Sequence, residues 1–339
     1  MRSNAQILVD ALRQPQSTLA LDGAGWADLI SMARAESLAG SLAYRLVDIA
    51  VPEAVKPVLQ DSMQSSELAR QQALWEAESA RRALSSLSCK ILLMKGTAYV
   101  AANIDAGIGR SIGDLDIMVD RSRLPDAEEA LLDAGWEWVK PDPYDDQYYR
   151  EYMHELPPLI HRERDRMIDV HHTILPLTAR PTPCPKAMLD DAQKLDSGLY
   201  VMGEADMVLH SVAHMLADGD MAGGLRNLWD IDRLVRQFSW NNAGFWKVLH
   251  ERAQLHGLEP HLARALRLAA RLYDLPTDKS FTGASQLTDY FYVRRLLARD
   301  GWGRESRKIT RQFFYIRSHW LRMPPVMLAR HLWTKWRKK

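Results

Sequence analysis

Asp114 and Asp116 stand two residues apart in the stretch Gly113-Asp114-Leu115-Asp116-Ile117. In an extended strand, residues i and i+2 point to the same face, so the two carboxylates converge on one cation. The same spacing recurs at Asp218/Asp220 and Asp230/Asp232. Leu228, Trp229, Leu234 and Val235 place the last pair on a helix, where i and i+2 diverge by about 200°. Asp218-Gly219-Asp220 falls where a helix should end and reads as a turn. A third carboxylate, Asp169, lies in Met167-Ile168-Asp169-Val170-His171. There Met167, Asp169 and His171 share one face, while Ile168 and Val170 face a core. An acid within an apolar strand is costly unless it is exposed in a cleft, paired, or bound to a cation. Three carboxylates on adjacent strands are the hard oxygen ligands that Mg2+ prefers, with Mn2+ as the alternative, and substrate phosphates complete the shell. Two such ions about 3.5–4 Å apart activate an attacking oxygen and stabilise departing pyrophosphate.

The surrounding sequence must supply the strands. Residues 1–87 read as helices, with apolar positions near helical spacing at Val55, Val58, Leu59, Met63, Leu68 and Leu74. Ile91-Leu92-Leu93-Met94 is a short apolar run closed by Gly96, consistent with a buried strand and a turn. Leu115, Ile117 and Val119 alternate with Asp114, Asp116 and Met118, the pattern of a strand with one apolar face. Asp126–Ala134 is expected to be a helix ending at Gly135. Trp136–Val139, Tyr148–Met153, Pro158–Arg162 and Met167–Thr173 are strand candidates, with Glu163–Arg166 as a hairpin turn. From about Gly203 the chain reads as helices: Glu204–Ala217, Leu225–Phe238, Asn242–His256, Pro260–Leu272, Thr288–Asp300, Ser306–Leu321 and Pro325–Lys338.

The order of strand, Lys95-Gly96-Thr97, helix, Gly109-Arg110, Gly113-Asp114-Leu115-Asp116-Ile117 and then Ile168-Asp169-Val170-His171 resembles the DNA polymerase β-type nucleotidyltransferase superfamily. Within it, the chain is similar to a bacterial, largely uncharacterised nucleotidyltransferase family. In that family the glycine motif reads Lys-Gly and an Arg precedes the acidic motif. The resemblance spans Ile91 to Thr173, and His210–Val235 also looks like the helical segment that follows. It implies that Gly96 and Thr97 help hold nucleotide phosphates, that Asp114 and Asp116 bind both metals, and that Asp169 binds one metal and favours deprotonation of the acceptor. The broader superfamily usually has Gly-Gly or Gly-Ser where this chain has Gly96-Thr97. Lys95 and Arg110 would add charge against the triphosphate.

Other features stay open between chemistry and structure. His171 lies on the Asp169 face and is a candidate for orienting the acceptor. His210 and His214 have the i, i+4 spacing of a helical metal pair, but packing or an acceptor contact at His214 is the simpler reading. Arg226 and Asp230 sit one turn apart and suit an ion pair. From Gly303 to Lys339 there are eleven Lys/Arg against one acid, a balance of +10; the remaining 302 residues hold 33 basic and 42 acidic side chains, a balance of −9. Trp320, Trp333 and Trp336 interleave with Arg317, Arg322, Arg330, Lys335 and Arg337 in that tail. Such interleaving serves nucleic acid or a membrane surface, or else docks a terminal helix on the body. Pro324-Pro325 interrupts any long amphipathic stripe and favours docking.

Composition bounds the rest. Apolar residues make up 47% and charged residues 26% of 339 residues, an ordinary globular balance. No apolar run approaches the about 18–20 residues of a membrane span. With Cys89 and Cys184 alone and no signal-peptide pattern, a cytoplasmic location with free thiols is expected. The expected architecture is α+β. A nucleotidyltransferase core with a small mixed sheet at 88–200 lies between helical regions at 1–87 and 201–339, with the basic tail from about 303. The expected activity is Mg2+-dependent transfer of a nucleoside monophosphate from an NTP to an unidentified acceptor, a small molecule, peptide or protein. The rivals are a catalytically silent, antitoxin-like regulatory binder, and RNA-directed nucleotide addition through the basic tail.

Overall fold

A computed structural model describes residues 4–139, 142–277, 279–322 and 328 of the chain. Its amino-terminal part is helical. It comprises α1 (Asn4–Arg13), α2 (Gly23–Ala35), α3 (Ala39–Arg45) and the 28-residue α4 (Lys56–Ala83). Asp22 starts α2 by accepting a hydrogen bond from the Gly25 amide at 2.8 Å, and Pro57 occupies the first turn of α4, where no amide donor is needed.

Seven short strands follow: β1 (Leu92–Leu93), β2 (Leu115–Met118), β3 (Trp136–Trp138), β4 (Leu159–His161), β5 (Met167–His171), β6 (Gln193–Lys194) and β7 (Tyr200–Val201). They form one mixed sheet in the order β3-β4-β5-β2-β1-β7-β6. Helices α5 (Lys95–Ala101), α6 (Leu124–Asp133), α7 (Pro143–Tyr152) and α8 (Pro185–Asp190) interrupt them. The central strands β2 and β5 run parallel, with Leu115 opposite Ile168, Asp116 opposite Asp169 and Ile117 opposite Val170. That register puts two acids side by side on one face and two aliphatic pairs on the other. Leu115, Ile117, Ile168 and Val170 join a continuous apolar core running from Ala5 to Phe314.

The carboxy-terminal part contains α9 (Glu204–Ala213), a π-helical turn (His214–Asp218), α10 (Gly224–Asn241), α11 (Phe245–Leu255), α12 (Glu259–Tyr273), α13 (Lys279–Thr282), α14 (Leu287–Leu296) and α15 (Lys308–Arg322). The architecture is α+β, with the mixed sheet among many helices. Among the described residues, no helix is long and apolar enough to cross a membrane.

One local expectation is corrected. Tyr148–Met153 is not a strand; it belongs to α7. The Asp142 carboxylate accepts hydrogen bonds from the amides of Tyr144 and Asp145, and Pro143 opens the first turn. Those start signals outweigh the aromatic content that suggested a strand. Strands β6 and β7 were not anticipated, since two-residue strands leave no periodicity to read. In the tail, α15 docks through Phe314 and Ser318, which are buried, while Trp320 remains half exposed with Arg180 stacked on its ring at 5.9 Å. Trp333, Trp336, Arg330, Lys335, Arg337, Pro324-Pro325 and most of the expected Pro325–Lys338 helix lie outside the described residues.

Candidate active site

The site is built on the paired strands β2 and β5 and on the β1–α5 turn. The Met94 amide donates to the Asp116 carbonyl at 3.0 Å and so lashes the turn to the acidic strand. Asp114 precedes β2 and is exposed, Asp116 lies within β2 and is buried, and Asp169 sits opposite Asp116 on β5. Each of the three offers a carboxylate oxygen within 4.8 Å of the other two. One oxygen of Asp169, Oδ1, is buried without a hydrogen-bond partner. A buried, unpaired carboxylate oxygen is costly, and a cation or a proton relieves it.

Lys95 occupies the left-handed region with φ 47°, an uncommon conformation for a residue with a side chain. From that turn its Nζ reaches Asp116 Oδ1 at 2.5 Å. His171 Nε2 lies 2.9 Å from the same oxygen. Burial pushes the Asp116 carboxyl up, but Lys95 and His171 together outweigh it and hold the group well below the usual carboxylate range. Asp169 goes the other way: burial and then the negative charge of Asp116 raise it to about 6. Two carboxylates in one site therefore differ in how readily they take a proton, which is the pattern that separates ligand from base.

Arg110 and Gly96 meet directly. A Cβ at Gly96 would come within 2.4 Å of Arg110 Nε, so only glycine lets the guanidinium lie there. Arg110 also stacks over the Tyr99 ring at 5.5 Å and pairs with Asp230 of α10. Asp230 binds Arg226 as well, at 2.6 Å, and Arg226 donates to Ser41 Oγ at 2.8 Å. The expected Arg226–Asp230 pair is thus one half of a buried Arg–Asp–Arg cluster that joins α3, the loop before β2 and α10. Gly109, at φ 65°, passes so close to Gly40 of α3 that a Cβ would lie 2.4 Å from its backbone. Gly96 and Thr97 open α5, and both are buried. The Asp232 carboxylate points elsewhere, to Arg233 and Arg236, as the helical divergence of Asp230/Asp232 requires.

The structure also brings in side chains that the sequence had not singled out. His154 and Glu155 lie between α7 and β4, where Glu155 forms an isolated bridge with His171. Glu155 Oε2 is 3.4 Å from His171 Nδ1 and 3.6 Å from His154 Nε2. Burial first, opposed by His171, leaves the Glu155 carboxyl raised to about 7. His210 is buried and held well below the ordinary histidine range by desolvation and then by Lys95. His214, first in the π turn, is exposed, and its surrounding charges include Lys95, Asp116, Arg110 and His171. His210 and His214 do not form a metal group with a third donor among the described residues.

A pH dependence follows. A free aspartate loses its proton near pH 4, whereas Asp169 keeps it to about 6. Its protonation therefore stabilises the fold most below pH 4, and that contribution is lost as pH rises through 6. Glu155 extends the same trend to about 7. If Asp169 is a ligand, a divalent cation would have to displace its proton, and Mg2+ affinity should then rise by up to about tenfold per pH unit below pH 6 and level off above it. Calorimetry in buffers of different ionisation heat should register one released proton on the acidic side. A pH-independent affinity would remove Asp169 from the metal shell.

No curated protein matches the chain. A family model described as an uncharacterised nucleotidyltransferase matches residues 22–274, a span that holds α2 to α12, the whole sheet and the three clustered acids. The chain belongs to this uncharacterised nucleotidyltransferase family.

Proposed function

We propose that the chain transfers a nucleoside monophosphate from an NTP to an acceptor hydroxyl, phosphate or amine, with release of pyrophosphate. The observation that carries this reading is the Asp116–Asp169 register, which with Asp114 gathers three carboxylates on the paired central strands β2 and β5. Their all-oxygen donor set and the unpartnered Asp169 Oδ1 fit Mg2+, and Asp114, Asp116 and Asp169 would hold it. The ion would supply positive charge against the triphosphate and the leaving pyrophosphate.

The chain's own residues do the rest. Asp169, beside Asp116 on the paired strand, would favour deprotonation of the acceptor. His171 and Lys95 fix the Asp116 carboxylate from two sides. Lys95 and Arg110 supply the nearby positive charge for phosphates, and Gly96 leaves Arg110 room beside the turn. The acceptor's chemistry stays at the level of a small molecule, peptide or protein side chain.

With Mg2+, an NTP labelled at the α-phosphate and a cell extract supplying acceptors, label should move to a product as pyrophosphate appears. Asp169→Asn should cut that transfer by about 10²–10⁴-fold while NTP affinity stays within about threefold of the parent. Equal loss of binding and turnover would make Asp169 only a nucleotide ligand. A second reading, a catalytically silent regulatory binder, is favoured by one observation: the Lys95 ammonium already rests on Asp116. Binding of Mg2+ and NTP with no label transfer would select it.

A further inference from the structure

Beside the three acids lies a second donor set of different chemistry. His154, Glu155 and His171 each offer one ligand atom within 4.8 Å of the other two. Their backbone is fixed by the carboxy-terminal end of β5: the Leu156 amide donates to the Val170 carbonyl, and the His172 amide to the His154 carbonyl, both at 2.9 Å. Neither side of the group can drift away from the other without breaking these bonds.

The hydrogen bonding around His171 leaves one atom without an explanation. Its Nε2 faces Asp116 Oδ1 at 2.9 Å, and a carboxylate accepts, so the ring donates there. Nδ1 is the remaining nitrogen; in the neutral ring it carries a lone pair. It is buried, forms no hydrogen bond, and points at Glu155 Oε2 from 3.4 Å. His171 as a whole is only 1% exposed, so water does not solvate that nitrogen. His154 Nε2 approaches the same Glu155 oxygen at 3.6 Å, and the His154 and His171 rings lie 5.2 Å apart between centroids. Two imidazole nitrogens thus converge on one carboxylate oxygen without hydrogen bonds to it. A cation between the three resolves the arrangement.

We propose that His154, Glu155 and His171 form a binding site for a divalent transition metal of the Zn2+ class, separate from the Mg2+ site of the three aspartates. Bonds of about 2.0–2.1 Å to a tetrahedral ion put neighbouring donors about 3.4 Å apart, against the observed 3.4 and 3.6 Å. Two imidazoles and one carboxylate select a borderline metal, whereas three carboxylates select a hard one. Asp116 serves both sites. It is a ligand candidate on the Mg2+ side, and on the other it receives the second ring nitrogen of His171, the usual partner that orients a metal-bound histidine. Three protein ligands would leave a fourth position for water or an acceptor oxygen. This site goes beyond nucleotide transfer and stands whether or not the chain uses an NTP.

The experiment uses the full chain, stripped with chelator and then titrated with Zn2+ or Co2+ in excess Mg2+, which keeps the acid site filled. One equivalent should bind, and the same equivalent should bind to Asp114→Asn. Glu155→Gln and His154→Ala should each weaken it by about tenfold or more. X-ray absorption of the Zn2+-loaded parent needs no variant, and should show two imidazoles per ion. An oxygen-only shell, or affinities unchanged in both variants, would overturn the assignment. Since no nucleotide is present, failure of NTP binding has no bearing on the result.

Discussion

Asp114→Asn should lose Mg2+-dependent nucleotide binding by more than about 100-fold and melt like the parent. The expected loss exceeds the 10–100-fold that removal of a supporting group costs, because Asp114 would touch the ion itself. The fold is spared because the carboxylate is exposed ahead of β2 and Asn matches it in size. Asp116→Asn should lose binding to the same degree but also lose stability. Asp116 is buried and receives Lys95 and His171, so the variant strands an ammonium beside a neutral amide. Calorimetric titration with Mg2+ and a non-hydrolysable NTP, beside a thermal melt of each protein, separates the two effects. If Asp114→Asn binds Mg2+ and NTP like the parent, the three acids are not a metal centre.

How much of this was readable in advance depends on distance along the chain. Asp114 and Asp116 could be singled out from sequence because a period of two needs only local information. Asp169 could be added because an acid between Ile168 and Val170 calls for a reason. The register that sets Asp116 opposite Asp169 was not legible, since it depends on pairing two strands separated by about fifty residues, with α6, β3, α7 and β4 between them. Lys95 and Arg110 stood beside the motifs, and charge near a motif suggested phosphate. Their partners in the fold, Asp116 and Asp230, could not be read, and the second is 120 positions away. His154 and Glu155 were passed over for a local reason. They follow a segment whose aromatic content suggests a strand, and because Asp142 and Pro143 start α7 there instead, the His-Glu pair falls at its exit and swings onto β5. An adjacent His-Glu pair before Leu156-Pro157 was the only sequence signal available.

Asp230→Ala should be the most destabilising change around the site, by about 3–5 kcal/mol in chemical denaturation, the usual cost of leaving buried charge unpaired. The reason is stoichiometric. One carboxylate bridges two guanidiniums: Asp230 takes Arg226 on Oδ1 and Arg110 on Oδ2, and both arginines are largely buried. Without it, two cations remain in apolar surroundings with Tyr99 on one side and the Ser41 hydroxyl and Ala106 carbonyl on the other. Arg110→Ala should cost less, because Arg226 still holds Asp230 in a one-to-one pair. The pair of variants also separates structure from phosphate binding. If Arg110 works only as a strut, its removal changes NTP and NMP affinity alike. If it also meets the outer phosphates, Arg110→Ala should weaken the triphosphate by about 1.5–3 kcal/mol, the scale of a charged hydrogen bond, and spare the monophosphate. An Asp230→Ala protein as stable as the parent would mean that the two arginines are neutralised by something other than this carboxylate.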